Sequence, residues 1–282
     1  MNASDGHDWD LLNSAIVSLY DEPAHPGFEL AKVAEYLATK VGIRVLLKGR
    51  LLQSRGSSGL KRSARMLASS RIVDPSRRAP NEPTRGELEY EERQLTLGYV
   101  TPGIIYDGLA VQRLMLEYLD ENQRWREHVH VVFTSRLLAT YDHLDSRYHL
   151  RTIVCGYPSV VSLSGLVEAP ARKPAFYLAR RQYLQIGLAP AIDEPYADDH
   201  LAYGDLRTTD VAVGYAMQAL SYAILGYPFC QDPGCRLYDA HRQIEMLKAQ
   251  LEPPEYCERH MPFLAEHRRA KQKGEPHEHS LQ

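Results

Sequence analysis

The spacing of three cysteines and one histidine near the C-terminus restricts how this part of the chain can fold. Cys230 and Cys235 are separated by four residues, Cys257 and His260 by two, and 21 residues lie between the two pairs. Two short-range pairs joined by a longer loop can converge tetrahedrally on one ion. Four protein ligands leave no open position for water, so the pattern predicts one structural zinc per chain in residues 228–262.

Composition limits the classes of partner and compartment. The 33 basic and 36 acidic residues give a net charge of -3, which argues against a nucleic-acid partner. Residues 1–10 are polar and acidic, unlike a signal peptide, and three of the four cysteines have metal-site spacing, so a cytoplasmic protein is predicted. Cys155 is predicted to be a buried thiol. Residues 211–229 are uncharged but include Gln218 and predict a buried helix without a membrane partner. The oligomeric state stays open.

Hydrophobic periodicity predicts an α/β fold with a mixed, mostly parallel sheet and crossover helices. A strand at residues 13–20, a helix at 28–41 and a strand at 44–52 form the strand–helix–strand unit of a parallel sheet. Further strands are predicted at residues 128–133, 152–155 and 159–167, and helices at residues 108–119, 173–186 and 209–225.

Residues 1–267 are predicted to form a single domain with two less regular segments. Residues 53–98 lose hydrophobic periodicity and predict an insertion or flexible loop, with one short helix at 60–69. Residues 141–149 are predicted to form a polar loop. The tail, residues 268–282, is charged and poor in apolar side chains, so disorder is expected there.

The metal-site spacing and the residues before it resemble archaemetzincins, a family of zinc-dependent peptidases of the metzincin clan. Their helix motif, His-Glu-x2-His-x2-Gly-x2-His-Cys, is followed by x4-Cys and later by Cys-x2-Cys, and those cysteines bind a second, structural zinc. Here Gly226 and Cys230 match the glycine and the first cysteine of this frame. Cys235 matches the next cysteine, and Cys257 with His260 matches the distal pair.

The resemblance covers residues 129–261 and implies a metzincin-like fold with a zinc-bound C-terminal helical segment. Residues 135–149, 156–177 and 228–260 are also similar to uncharacterised proteins classed as metallopeptidases. By the same resemblance, residues 159–167 form an edge strand over the active-site cleft. An edge strand can bind a peptide or protein through strand addition, which is the partner that we expect.

The catalytic residues of the family are missing. Ala219, Ala223 and Phe229 stand where archaemetzincins have their three histidine ligands, and Leu220 replaces the glutamate. Two histidines four residues apart grip the catalytic zinc, and the glutamate activates its water. These apolar side chains supply neither function, and no other His-Glu-x2-His occurs in the chain. The resemblance therefore predicts a homologue that is inactive at the family site.

An alternative hypothesis is a metal-dependent hydrolase or peptidase with a relocated site. Asp142 and His149 lie in a polar loop after a predicted strand, and Glu168 lies at the end of another. His241 and Glu245, four residues apart, would share one helix face and could bind a metal together. Ion pairs that brace the loop and a solvated helix face explain the same residues equally well.

Overall fold

In a computed structural model, the structure describes residues 8–22, 27–53, 56–79, 81–98, 103–123, 127–185 and 199–273. Within these residues, helices and strands alternate in the first half of the chain, apart from one pair of helices, and five strands and then five helices follow. In chain order they are α1 (Asp8–Ser14), β1 (Ile16–Asp21), α2 (Leu30–Tyr36), β2 (Arg44–Lys48), α3 (Gly56–Ser69), α4 (Arg85–Leu97), β3 (Ile105–Asp107), α5 (Gly108–Leu116), β4 (His128–Thr134), β5 (Leu137–Asp142), β6 (Arg147–Arg151), β7 (Ile153–Val154), β8 (Ser159–Ser162), α6 (Leu163–Glu168), α7 (Pro174–Gln185), α8 (Thr208–Leu225), α9 (Gln243–Leu251) and α10 (Ala265–Lys273).

The main sheet has five strands in the order β2-β1-β4-β8-β7. The first four are parallel, and β7 pairs antiparallel with β8. Ile16 lies opposite both Arg44 and His128, so β1 is a central strand. A second sheet has three strands in the order β3-β5-β6. The predicted α/β class, with a mixed and mostly parallel sheet, is confirmed, as is the crossover through α2.

Helices cover both faces of the main sheet and form two cores. On one face, Val131 of β4 packs in a cluster with α1, α2 and α8. On the other face, its neighbour Val132 packs in a cluster with α3 and α5. Successive strand residues point to opposite faces, so a sheet covered on both sides needs a continuous apolar run, as in β4. Within the described residues, no helix has the length and hydropathy needed to cross a lipid bilayer.

Helices α3 and α4 occupy most of residues 53–98, so this segment is not a flexible loop. The short helix predicted at residues 60–69 is confirmed as part of α3, whereas α4 was not predicted. Thr84 and Glu87 form a reciprocal capping box at the start of α4, and Gly98 ends that helix in a left-handed conformation (φ 77°). Each helix buries only a narrow stripe, which includes Leu67 and Leu95. The polar remainder hides the helical periodicity in the sequence.

The prediction of a strand at residues 159–167 is confirmed for residues 159–162 and wrong for residues 163–167, which belong to α6. Strand β8 ends at Ser162, whose side-chain oxygen accepts the backbone N–H of Gly165 at 2.8 Å and so begins α6. Strand β8 also lies between β4 and β7 and is buried at every residue, so it is not an edge strand. Strand addition at residues 159–167 is therefore excluded, and the edge of the described sheet on this side is β7.

Two polar segments are more ordered than predicted. Residues 268–273 belong to α10, and Arg268 donates to the carbonyl oxygens of Pro262, Phe263 and Val41. The predicted disorder is therefore wrong there, and residues 274–282 lie outside the described part. The loop predicted at residues 141–149 includes the turn of the hairpin between β5 and β6.

Candidate metal centre

The first half of the metal centre is a tight turn after α8. Gly226 ends that helix with φ 80°, and the chain then reaches Cys230. The backbone N–H of Cys230 donates to the backbone carbonyl oxygen of Leu237 at 2.8 Å. The backbone N–H of Cys235 donates to the backbone carbonyl oxygen of Asp232 at 3.1 Å. These bonds bring both thiols to the same side of the turn.

The second half follows α9 and docks onto the first. The N–H of Arg236 donates to the carbonyl oxygen of Glu255 at 2.8 Å, which ties the two segments together. The N–H of His260 donates to the carbonyl oxygen of Cys257 at 2.9 Å, so Cys257 and His260 share one turn. Cys235 and His260 have no exposed surface, whereas Cys257 is half-buried, so an ion held here would be shielded from water on the side of Cys235 and His260.

The four ligand atoms converge at distances that suit a tetrahedral metal ion. Cys230 Sγ and Cys257 Sγ are 3.8 Å apart, and His260 Nδ1 lies 3.2 Å from Cys257 Sγ and 3.6 Å from Cys235 Sγ. All four lie within 4.8 Å of one another. Bond lengths of about 2.3 Å to sulfur and about 2.0 Å to nitrogen give tetrahedral spacings of about 3.8 Å and about 3.6 Å. The four residues can therefore hold a metal ion.

Burial sets the protonation of these groups. It raises the pKa of the Cys235 thiol to about 12 and also raises the pKa of the Cys230 thiol. It lowers the pKa of His260 to about 4, and the nearby positive charge of Arg259 acts in the same direction. The imidazole is therefore neutral at physiological pH and able to bind a cation. A divalent ion would displace the thiol protons and stabilise the thiolates.

Together these features define an α/β protein with two cores and a buried Cys3His group that can hold a metal ion. The chain belongs to a family of unknown function, DUF7001, which matches residues 18–263. That range includes most of both cores and all four residues of the Cys3His group. Comparison with curated proteins and with solved structures finds no match.

The helical pair proposed for a relocated site does not form. His241 precedes α9, and its side chain is 83% exposed, 4.0 Å from Asp239. Glu245 caps the helix by accepting the backbone N–H groups of His241 and Arg242 at 3.3 and 3.1 Å. The prediction that His241 and Glu245 share one helix face is wrong, because the helix begins at Gln243.

The hairpin residues do come together. Asp145 accepts hydrogen bonds from His149 at 2.7 Å and from Arg147 at 2.8 Å, and Asp142 accepts the N–H of Leu144 at 2.8 Å. The bond from His149 is the main reason why the pKa of Asp145 is lowered. Asp142, Asp145 and His149 can also hold a cation, but in the described chain this group includes neither Glu168 nor His241 nor Glu245. Glu168 instead hydrogen-bonds to Tyr203.

The helix that resembles the peptidase motif is packed at two of the positions concerned. Ala219 and Leu220 have at most 1% exposure, whereas Phe229 is 38% exposed. Phe229, Asp239 and His241 line a cavity of about 140 Å³ beside the edge strand β7. The only metal-capable groups found within the described ranges are the Cys3His group and the hairpin group.

A buried ionic cluster at the carboxyl ends of β1 and β4 was missed by sequence reasoning. We call Glu22, Arg71, Glu91, Tyr106 and Arg136 the switch-point cluster. The cluster lies at the topological switch point of the main sheet, between β1 and β4. Strand β1 connects to β2 on one side, whereas β4 lies on its other side. Open α/β sheets place their ligand sites at such a point. The available signals were Glu22 directly after a buried strand and Arg136 two residues after another.

Glu91 is the centre of the switch-point cluster. It is fully buried and accepts hydrogen bonds from Arg71 Nε and Nη2 at 2.9 and 2.6 Å and from the Tyr106 hydroxyl at 2.8 Å. Arg136, 1% exposed, places Nη2 3.8 Å from Glu91 Oε2. Glu22, also 1% exposed, accepts the N–H of Leu52 at 2.7 Å. Glu91 is therefore the nearest carboxylate to both arginines, and Arg71 also lies 3.7 Å from Glu87.

Glu22 predicts a measurable pH dependence of stability. Burial raises its pKa from 4.5 to about 7, so between these values the folded chain keeps a proton that the unfolded chain loses. Stability therefore falls by about 3 kcal/mol as pH rises through this window. Glu22→Gln still accepts the Leu52 N–H and removes this titration. Urea unfolding at about pH 4.5 and about pH 7.5 should show the variant gaining about 3 kcal/mol relative to the wild type; parallel pH curves would contradict the prediction.

Proposed function

We propose that this chain is a non-catalytic zinc protein related to archaemetzincins, in which one structural ion holds the C-terminal segment. The observation that carries the proposal is the convergence of Cys230, Cys235, Cys257 and His260 at tetrahedral spacings. Three thiolates and one imidazole favour zinc, and four protein ligands leave no position for a reacting water. Free thiols at the site suit a reducing compartment such as the cytoplasm.

The relation to archaemetzincins is supported by the order of elements. A strand series ends in β8, a long apolar helix, α8, follows after α6 and α7, and the cysteines come directly after α8. The loss of catalysis is supported by the side chains on α8 that stand at the ligand positions. Ala219 and Leu220 are packed in the core and offer no metal ligand.

The binding role that we propose lies beside β7 rather than at residues 159–167. Strand β7 is the last strand of the described sheet on this side, and the cavity beside it is lined by Ile153, Phe229, Asp239 and His241. At about 140 Å³ the cavity suits a single side chain. A peptide or protein segment placing one side chain there is the partner that we propose.

Metal analysis of the purified full chain tests the proposal. We expect one zinc per chain, retained through desalting, and no cleavage of an unfolded protein such as casein. Absence of zinc would overturn the structural-ion role. Cleavage abolished by a chelator and restored by zinc would overturn the non-catalytic role.

The alternative is a metal-dependent hydrolase, for which the grouping of Asp142, Asp145 and His149 is the supporting observation. It predicts a second, exchangeable metal and a chelator-sensitive activity. Both should be lost in His149→Ala while the first zinc is retained. Unchanged metal content in that variant would remove the basis for this alternative.

A further inference from the structure

A cavity of about 690 Å³ lies on the other side of the molecule from the sheet face that α8 covers. Its walls are the end of α3, residues 70–79, the first turns of α5 and strand β6. Three backbone hydrogen bonds fix these walls: Asp107 N–H to Ser70 O at 2.7 Å, Ile72 N–H to Ile105 O at 2.9 Å and Tyr148 N–H to Pro75 O at 2.7 Å. The cavity is therefore formed before any ligand binds, and its volume is that of a small-molecule site.

The lining carries an excess of positive charge. Its charged residues give a formal charge of +2, from four arginines and two aspartates: Arg71, Arg77, Arg78, Arg113, Asp74 and Asp107. Arg71 is neutralised by Glu91, which lies outside the cavity. Without Arg71, three arginines and two aspartates leave a net charge of +1, so the attraction for an anion comes from Arg77, Arg78 and Arg113.

Arg77, Arg78 and Arg113 are solvent-exposed, and none takes part in an ion pair among the described residues. Arg78 is positioned by the Tyr141 ring, 5.9 Å from the ring centre, and by His143 Nε2 at 3.2 Å. Arg113 Nε donates to the carbonyl oxygen of Leu109 at 3.3 Å. The pKa of Asp74 is lowered mainly by its hydrogen bonds with Ser76 and also by the positive charge of Arg77. Within the described part of the chain, most guanidinium N–H donors of the three arginines therefore remain available to a ligand.

The two aspartates are already committed to donors of the protein. Asp74 Oδ1 accepts the N–H and hydroxyl of Ser76 at 2.9 and 2.6 Å. Asp107 Oδ1 accepts the N–H groups of Leu109 and Ala110 at 3.0 and 3.1 Å, and its Oδ2 accepts the Tyr148 hydroxyl at 3.0 Å. The first N–H groups of α5 are thus occupied, and anion binding must come from the arginines.

We propose that this cavity binds a small organic phosphate. A phosphate group carries two charges and several acceptor oxygens, which matches three guanidinium forks better than a single carboxylate does. The volume exceeds that of a bare phosphate ion, and Ile72, Val73, Ala79 and Ala110 provide apolar wall for the organic part. This site does not depend on the metal centre.

Calorimetric titration of the zinc-loaded full chain tests the proposal, with AMP and glucose 6-phosphate as phosphate probes. Adenosine and glucose are the uncharged controls, and citrate is the carboxylate control. We expect at least one phosphate probe to bind and both uncharged controls to fail. Failure of both phosphate probes, or tighter binding of citrate, would overturn the assignment to organic phosphates.

The variants Arg113→Gln and Arg77→Gln test whether the phosphate probe binds in this cavity. Each substitution should weaken the affinity for the phosphate probe roughly tenfold or more, because a charge-assisted hydrogen bond is lost. Arg93→Gln, on an exposed position of α4 outside the cavity, is the matched control and should bind like the wild type. Unchanged binding in the Arg77→Gln, Arg113→Gln double variant, with an unchanged Tm, would place the phosphate elsewhere and overturn the proposal.

Discussion

Replacing Cys235 with serine is expected to release the zinc and to lower the free energy of unfolding by about 5 kcal/mol or more. The Cys235 side chain is fully buried between Cys230 and His260, so serine leaves an incomplete site without a water-accessible position. The two halves of the centre would then be held only by core packing and by hydrogen bonds such as that from the Arg236 N–H to the Glu255 carbonyl oxygen. Zinc content and urea unfolding of the variant measure both effects.

Cys155→Ser is the matched control, because Cys155 packs against the core but lies outside the Cys3His group. It should keep one zinc per chain and lose only the small free energy of a core substitution. Full zinc retention in Cys235→Ser would contradict the ligand assignment. Zinc loss without destabilisation would contradict the structural role of the ion.

Glu91→Gln is expected to lower the free energy of unfolding by about 3 to 5 kcal/mol. The change keeps the shape of the side chain and one acceptor oxygen but removes the charge. Arg136, whose side chain is 1% exposed, would then lose the carboxylate with which it pairs, and Arg71, 12% exposed, would keep only Glu87 at 3.7 Å. Urea unfolding at neutral pH measures the effect.

The control for this charge removal is Glu89→Gln on the same helix. Glu89 is 58% exposed and pairs with Arg85 one turn away, so its loss should cost no more than about 0.5 kcal/mol. Similar costs for the two variants would show that the switch-point cluster does not contribute more than a surface pair. A large difference would establish Glu91 as the residue that compensates both buried arginines.

Elements with a strong local signal were predicted correctly. Strand β4 is rich in β-branched residues, helix α8 is long and largely apolar, and most residues of both are buried, so their sequences alone indicate their type. The Cys3His group was predicted because two closely spaced pairs of Cys and His residues are typical of side chains that converge on one metal ion. Helix α4 was missed because its buried stripe is narrow, and α6 was misread because Ser162 is both a strand residue and a helix cap.

The sequence by itself determined the α/β class, the residues of the Cys3His group and the absence of a His-Glu-x2-His motif, since these depend on short-range spacing and residue type. Only the tertiary structure decided which strand is at the edge, that Glu91 lies between two buried arginines, and that three unpaired arginines surround one cavity. The physical reason is distance along the chain. Glu91 meets Arg136, and Arg77 and Arg113 line one cavity, only because separate elements pack together, and no local pattern encodes such an arrangement.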